Sequence, residues 1–87
     1  MEFSKSAFKH GITSERMREV LGSDYTEAFD EGFDRTGCYR VMYVGFDSQG
    51  VLLEVGVKFV GILESKYVFH ANKATTYYQE LFNERKQ

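Results

Sequence analysis

Side chains able to move protons or hold negative charge come from three separated stretches of this sequence. Lys9, His10 and Glu15 lie near its start, Arg40 near its middle, and His70 and Lys73 near its end. Imidazole is the side chain whose charge changes near neutrality, so His10 and His70 are the natural proton carriers. A guanidinium such as that of Arg40 can hold an anion through two parallel hydrogen bonds. Together these are the types that acid–base work on an anionic group requires: a base, an acid and a cation beside the developing charge. Other chemistries find no footing. The sequence has no phosphate-cradling glycine loop, no nucleophile triad and no metal-ligand spacing, and two histidines alone do not make a metal site. No cofactor is expected, and Cys38 stands outside any redox motif.

Every one of these residues also has a purely structural explanation. Lys9 and His10 would suit the carboxyl end of a helix, and Glu15 the amino end of the next, each worth roughly 0.3–1 kcal/mol. Arg40 could pair with the acidic loop around Asp30 to Asp34, and Lys73 could be a solvated helix residue. His70, near a strand end, can be an ordinary surface histidine; beside Lys58 and Lys66 on an open face it would suit proton transfer. Tyr39 and Tyr43 can stack nucleic-acid bases, and equally can be common strand aromatics.

The elements that must position these groups fit one domain spanning residues 1–87. At this size folding buries about two-thirds of the unfolded surface, so stability is marginal and a partner would add to it. Apolar residues at 43% and aromatics at 16% suffice for a core. No apolar run approaches the roughly 18 residues of a membrane span, and the start lacks a signal-peptide pattern. With its single Cys38 suited to a reducing compartment, a cytoplasmic protein without a membrane partner is expected. Eleven basic and thirteen acidic side chains leave a net charge of −2. Proteins that grip nucleic acid usually carry a basic excess. Any basic site must therefore be local, with the acidic surplus gathered at Asp24, Glu27, Asp30, Glu31 and Asp34.

Local patterns predict an α+β fold: two short N-terminal helices, a three- to four-stranded antiparallel sheet and a C-terminal helix. Ser4 is placed to cap a first helix carrying Phe3, Ala7 and Phe8, which Gly11 would end in a left-handed turn. Thr13 caps a second, with Met17, Val20 and Leu21 as its stripe, an Ile12–Met17 staple and Gly22 as its stop. Residues 25–29 could form a short edge strand. Tyr39 to Phe46 and Val51 to Val60 form a hairpin, with Val51, Leu53, Val55, Val57 and Phe59 on one face. After a turn at Gly61, Lys66 to Ala71 adds a strand with Tyr67 and Phe69 inward. Asn72 caps the final helix, in which Ala74, Tyr77, Tyr78, Leu81 and Phe82 recur at helical spacing. With helices on one face, the other stays open. A four-residue turn over Asp47–Gly50 would pair Phe46 with Val51 and bring Met42 and Val44 to the core. The open face would then carry Tyr39, Tyr43, Glu54, Lys58, Lys66 and His70. A one-residue change of register would bring Arg40 onto that face and remove the tyrosines.

Several segments, in order, resemble BrnT-type toxins of bacterial type II toxin–antitoxin systems. Lys9-His10-Gly11-Ile12 with Glu15 is similar to the segment that opens those chains. Arg40 followed by Gly45 and Gly50-Val51-Leu52-Leu53-Glu54-Val55 resembles their central hairpin. Ala71-Asn72-Lys73-Ala74-Thr75 resembles the run that begins their last helix, with Asn72 where the family has arginine and a less basic helix after it. Leu52-Leu53-Glu54-Val55 and His70-Ala71 also resemble a related group of short actinobacterial toxins. The resemblance implies a RelE-like fold and a metal-independent endoribonuclease that cuts RNA by 2′-hydroxyl attack and inhibits translation. It also implies a small DNA-binding antitoxin as partner. Under it Lys9, His10, Glu15, Arg40 and His70 are the catalytic candidates, with Arg40 as phosphate clamp. Lys58, Lys66, Lys73, Tyr39 and Tyr43 are the candidates for RNA contact. The other reading is a non-catalytic module of the same fold that docks a protein through its open sheet face or an edge strand.

Overall fold

The computed structural model describes residues 1–61 and 65–86. Its strands are β1 (Glu2–Phe3), β2 (Glu27–Phe33), β3 (Tyr39–Phe46), β4 (Leu52–Val60) and β5 (Ser65–Lys73). Its helices are α1 (Ser14–Leu21) and α2 (Thr76–Lys86), and a 3-10 turn covers Lys5–Phe8. The strands form one sheet in the order β1-β5-β4-β3-β2, with β1 parallel to β5 and the other pairs antiparallel. The α+β class holds, but the sheet is five-stranded and mixed. Among the described residues no helix is long and apolar enough to cross a membrane.

The expected first helix is replaced by β1 and the 3-10 turn. The Ser4 amide and hydroxyl both donate to the Val68 carbonyl, which holds the chain extended along β5 before a helix can start. Gly11 does take the left-handed conformation, with φ of 77°. The next helix follows expectation. The Thr13 hydroxyl accepts from the Arg16 amide at 3.3 Å, and Ile12, Met17 and Val20 are buried together. That core layer is completed by Ala7, Leu53, Val55, Val57, Val68 and Ala71, on the sheet face beneath α1.

The second face is covered as well, which corrects the expectation of an open one. Phe29, Met42, Val44, Ala74, Tyr78 and Phe82 form a separate apolar layer between the sheet and α2. Met42 and Val44 thus enter the core from the side opposite Val55. Burial, and then the Glu31 carboxylate beside it, push the Tyr78 phenol up. Tyr77 is 62% exposed, against the expectation of burial, and Leu81 is only partly covered. Only one end of this face is under α2. The other end stays uncovered, toward the start of β3 and the middle of β5.

The hairpin turn explains the exchange of faces. Gly50, at φ 77°, follows a tight turn in which its amide donates to the Asp47 carbonyl. The loop proper is Ser48-Gln49-Gly50, closed by the Asp47 amide on the Val51 carbonyl at 3.0 Å. Phe46 therefore pairs with Leu52, not Val51. One residue of slip turns every β3 side chain over. Arg40 pairs with Lys58 and Val44 with Glu54, while Tyr39 pairs with Phe59 and Tyr43 with Val55. Lys66, opposite Phe59, goes with the tyrosines. A bulge in β5 between Val68 and His70 corrects the inward assignment of Tyr67 and Phe69: Val68 and Ala71 face the core, and Phe69 lies over Gly56 on the other side.

The turn between β2 and β3 is held by Asp34. Its Oδ1 accepts from the Thr36 hydroxyl and amide and from the Cys38 amide, at 2.7, 2.8 and 3.0 Å. The Thr36 hydroxyl first, then these amides and Lys58, hold its carboxyl well below the usual range.

Three outcomes follow in unfolding experiments. Phe82→Ala should cost about 3–5 kcal/mol in urea, and Tyr77→Ala no more than about 0.5. Equal losses at both positions would contradict the α2 packing. Asp47→Ala removes an acceptor used by one guanidinium and two amides, and should cost about 2–3 kcal/mol. A neutral result there would sink the turn assignment. The Asp34 contribution is fully present above its ordinary value of 3.8 and is lost as pH falls through the lower folded value. The melting-temperature gap between wild type and Asp34→Asn should therefore narrow as the buffer is taken from pH 5 toward about pH 2. A gap that is constant over that range would show that Asp34 is not the group involved.

Candidate functional site

A cluster of polar side chains occupies the uncovered end of the sheet face that α2 leaves free. Its anchor is Glu54, only 4% exposed near the start of β4 between Leu53 and Val55. A carboxylate in such a place must be matched by donors. Its Oε1 accepts the Thr75 amide at 2.6 Å, and its Oε2 bonds the His70 Nε2 at 2.8 Å. Thr75 immediately precedes α2, so Glu54 caps that helix from the sheet. This is the task expected of Asn72, which remains in β5 with its side chain accepting from the Lys73 amide.

The β5 bulge brings His70 here. It lets Phe69 and His70 both lie on the Gly56 side of the sheet. Gly56 leaves the room: a Cβ on it would come within 2.8 Å of the Phe69 ring and 3.2 Å of the His70 Cβ. His10 completes the cluster from the far end of the sequence. The 3-10 turn runs along β5, where the Ser6 hydroxyl donates to the Phe69 carbonyl. The chain leaving that turn sets the His10 ring edge-on to His70, with centroids 5.8 Å apart.

Two cations share the face. Lys58, on β4, has its Nζ 3.4 Å from the Asp34 carboxylate and 5.3 Å from the centre of the Phe69 ring. Arg40, beside it on β3, does not take the acidic loop as partner, because Asp34 is turned to Lys58 and Asp30 to Tyr39. The Arg40 Nε is buried and has no hydrogen-bond partner among the described residues. By sheet geometry the backbones of Arg40 and His70 are roughly 12 Å apart, two strands across and one pleat along.

The remaining candidates lie elsewhere. Lys9 is exposed at the end of the 3-10 turn, next to His10. Glu15 is exposed in the first turn of α1. Lys73 pairs with Leu53, and so belongs to the face opposite His70. Tyr39, Tyr43 and Lys66 are on that opposite face too. Tyr43 packs on the α1 core layer, and Tyr39 meets Asp30, whose nearness pushes the phenol up. Tyr39, Phe33, Val41, Phe59 and Lys66 line a shallow depression of about 570 Å³ that contains no histidine. Among the described residues, no group of three or more His, Cys, Asp and Glu side chains gathers to hold a metal ion.

The residue that sequence reasoning passed over is Glu54. Its signal was present: a lone acid inside Leu52-Leu53-Glu54-Val55-Gly56-Val57, a stretch otherwise without a polar side chain. Buried acids are retained with partners, and the partner here is a histidine sixteen residues away. The cluster can therefore hold an imidazole in a fixed orientation, bring a second imidazole to its edge and offer cationic charge on the same surface. Set against known proteins, the chain matches no family model and no curated protein.

Proposed function

We propose that this chain is a RelE-like toxin of the BrnT type, a cytoplasmic, metal-independent endoribonuclease restrained by a small DNA-binding antitoxin. The observation that carries the reading is the meeting of His10 and His70 at 5.8 Å on a face shared with Arg40 and Lys58. In the reaction one imidazole takes the proton of a ribose 2′-hydroxyl. The O2′–P bond forms, the P–O5′ bond breaks, and the other histidine, entering as the imidazolium, gives its proton to the departing O5′. The products are a 2′,3′-cyclic phosphate and a 5′-hydroxyl. Arg40 and Lys58 offset the added charge on the phosphoryl oxygens. The Phe69 ring, lying between Lys58 and His70, is an aromatic on this face that a base can stack against.

One observation favours the alternative, a non-catalytic module that docks a protein. Phe33, at the end of edge strand β2, is 73% exposed beside the depression lined by Tyr39, Val41 and Phe59. Such a surface suits a partner whether or not the histidines do chemistry.

Purified chain incubated with single-stranded RNA in EDTA should yield cyclic-phosphate ends. His10→Ala, His70→Ala and Arg40→Ala should each fold and lose about 10²–10³-fold in rate. RNA left intact by the wild type, together with normal growth of cells expressing it alone, would remove the catalytic reading and leave the docking module.

A further inference from the structure

We propose that Glu54 is a positioning residue that fixes the tautomer of His70, and thereby assigns His70 as the base and His10 as the acid. The assignment of roles rests on the ribonuclease reading; the tautomer does not. A carboxylate oxygen only accepts hydrogen bonds, whereas a neutral imidazole has one nitrogen of each kind. With Glu54 Oε2 at 2.8 Å from Nε2, the ring proton belongs on Nε2. The lone pair is then left on Nδ1, which takes no hydrogen bond from the described residues. A ring in that state can accept a proton at Nδ1, the event that 2′-hydroxyl attack needs first. His10, 5.8 Å away and entering the step as the imidazolium, then gives its proton to O5′ and is left neutral.

The second carboxylate oxygen makes the arrangement rigid. Oε1 is taken by the Thr75 amide at the start of α2, so Glu54 cannot rotate away from His70 without uncapping that helix. The direction of the Thr75 bond also dictates what a glutamine would do. In Glu54→Gln the amide oxygen must stay toward the Thr75 N–H, since two donors cannot face one another. The NH₂ group is then aimed at His70 Nε2. Glutamine therefore preserves shape and cap while forcing the ring proton to Nδ1.

The experiment is nitrogen-15 NMR of the imidazole rings in the full chain, above the pH at which they titrate. The expected result is Nε2–H for His70 in the wild type and Nδ1–H in Glu54→Gln, with circular dichroism unchanged. Wild-type His70 carrying its proton on Nδ1 would overturn the proposal, even if the variant does not fold. So would a glutamine variant that keeps Nε2–H. If the wild type cleaves RNA, Glu54→Gln should lower kcat by about 10²–10³-fold at nearly constant KM, and a variant with wild-type kcat would also overturn it. If the wild type cleaves no RNA, the ribonuclease reading and the roles of His10 and His70 fall together. The tautomers then still decide whether Glu54 orients the ring.

Discussion

Asp47 sits at the bend between β3 and β4, 6% exposed, with its carboxylate shared among the Arg16 guanidinium and the Gln49 and Val51 amides. Burial alone would raise its pKa; the Val51 amide and Arg16, with the Gln49 amide, outweigh that and hold it down. The same residue closes the three-residue loop through its backbone, so turn type and ion pairing agree on one register. Because side chains alternate along a strand, this one choice decides which half of β3 accompanies Glu54 and His70. Arg40 and Lys58 are on that face, and Tyr39 and Tyr43 are not. Arg16 also joins α1 to the hairpin, and the Ser48 amide bonds Glu19 one turn further along the helix. The first core layer and the register of the sheet are thus secured at the same point.

Glu54 has the matching role on the other side. Removing a carboxylate from water costs several kcal/mol unless donors replace the solvent. Here the donors come from β5 and from the start of α2, so the second helix is joined to the sheet by a polar contact as well as by Tyr78 and Phe82. Two layers on opposite faces each have an apolar stripe and one buried acid. A chain of 87 residues has little apolar area to spare, and these polar ties give the helices definite docking positions that hydrophobic contact alone leaves loose.

Elements whose pattern is local were legible in the sequence. Thr13 and the Met17–Val20 stripe mark α1, the Leu53–Val57 alternation marks β4, and Tyr78 and Phe82 mark the buried side of α2. What was not legible depends on contacts distant in sequence or on one-residue choices. Phe3 and Ala7 have helical spacing, but Val68 captures Ser4 and draws the segment onto the sheet. The turn gives no sign in composition of whether Gly50 closes a three- or a four-residue loop, yet that decides the face of Arg40. The bulge at Phe69 likewise has no local marker; it is permitted by Gly56 on the neighbouring strand. His10 and His70 could be named as candidates from type alone. Their meeting required β1 to lie beside β5, and that pairing is invisible in the sequence.

An acidic chain can hold an anion only where its own carboxylates are kept from the site. Its net charge of −2 would argue against this if the carboxylates were spread evenly. Four of them are instead engaged in place: Glu27 by Arg85 and Lys86, Asp34 by Lys58 and its own turn, Asp47 by Arg16, and Glu54 by Thr75 and His70. Lys58 is shared with Asp34 and offers only part of its charge outward. Arg40 differs from all of these, with its Nε buried and without a hydrogen-bond partner among the described residues. A guanidinium in that state has already given up water on one edge, and further donors remain for a bidentate partner. On the face that holds both histidines, Arg40 is therefore a cation with no acidic partner among the described residues, whereas Lys58 has Asp34. The attraction of this face for an anion should be short-ranged, set by direct contact with Arg40 and not by a field extending over the molecule.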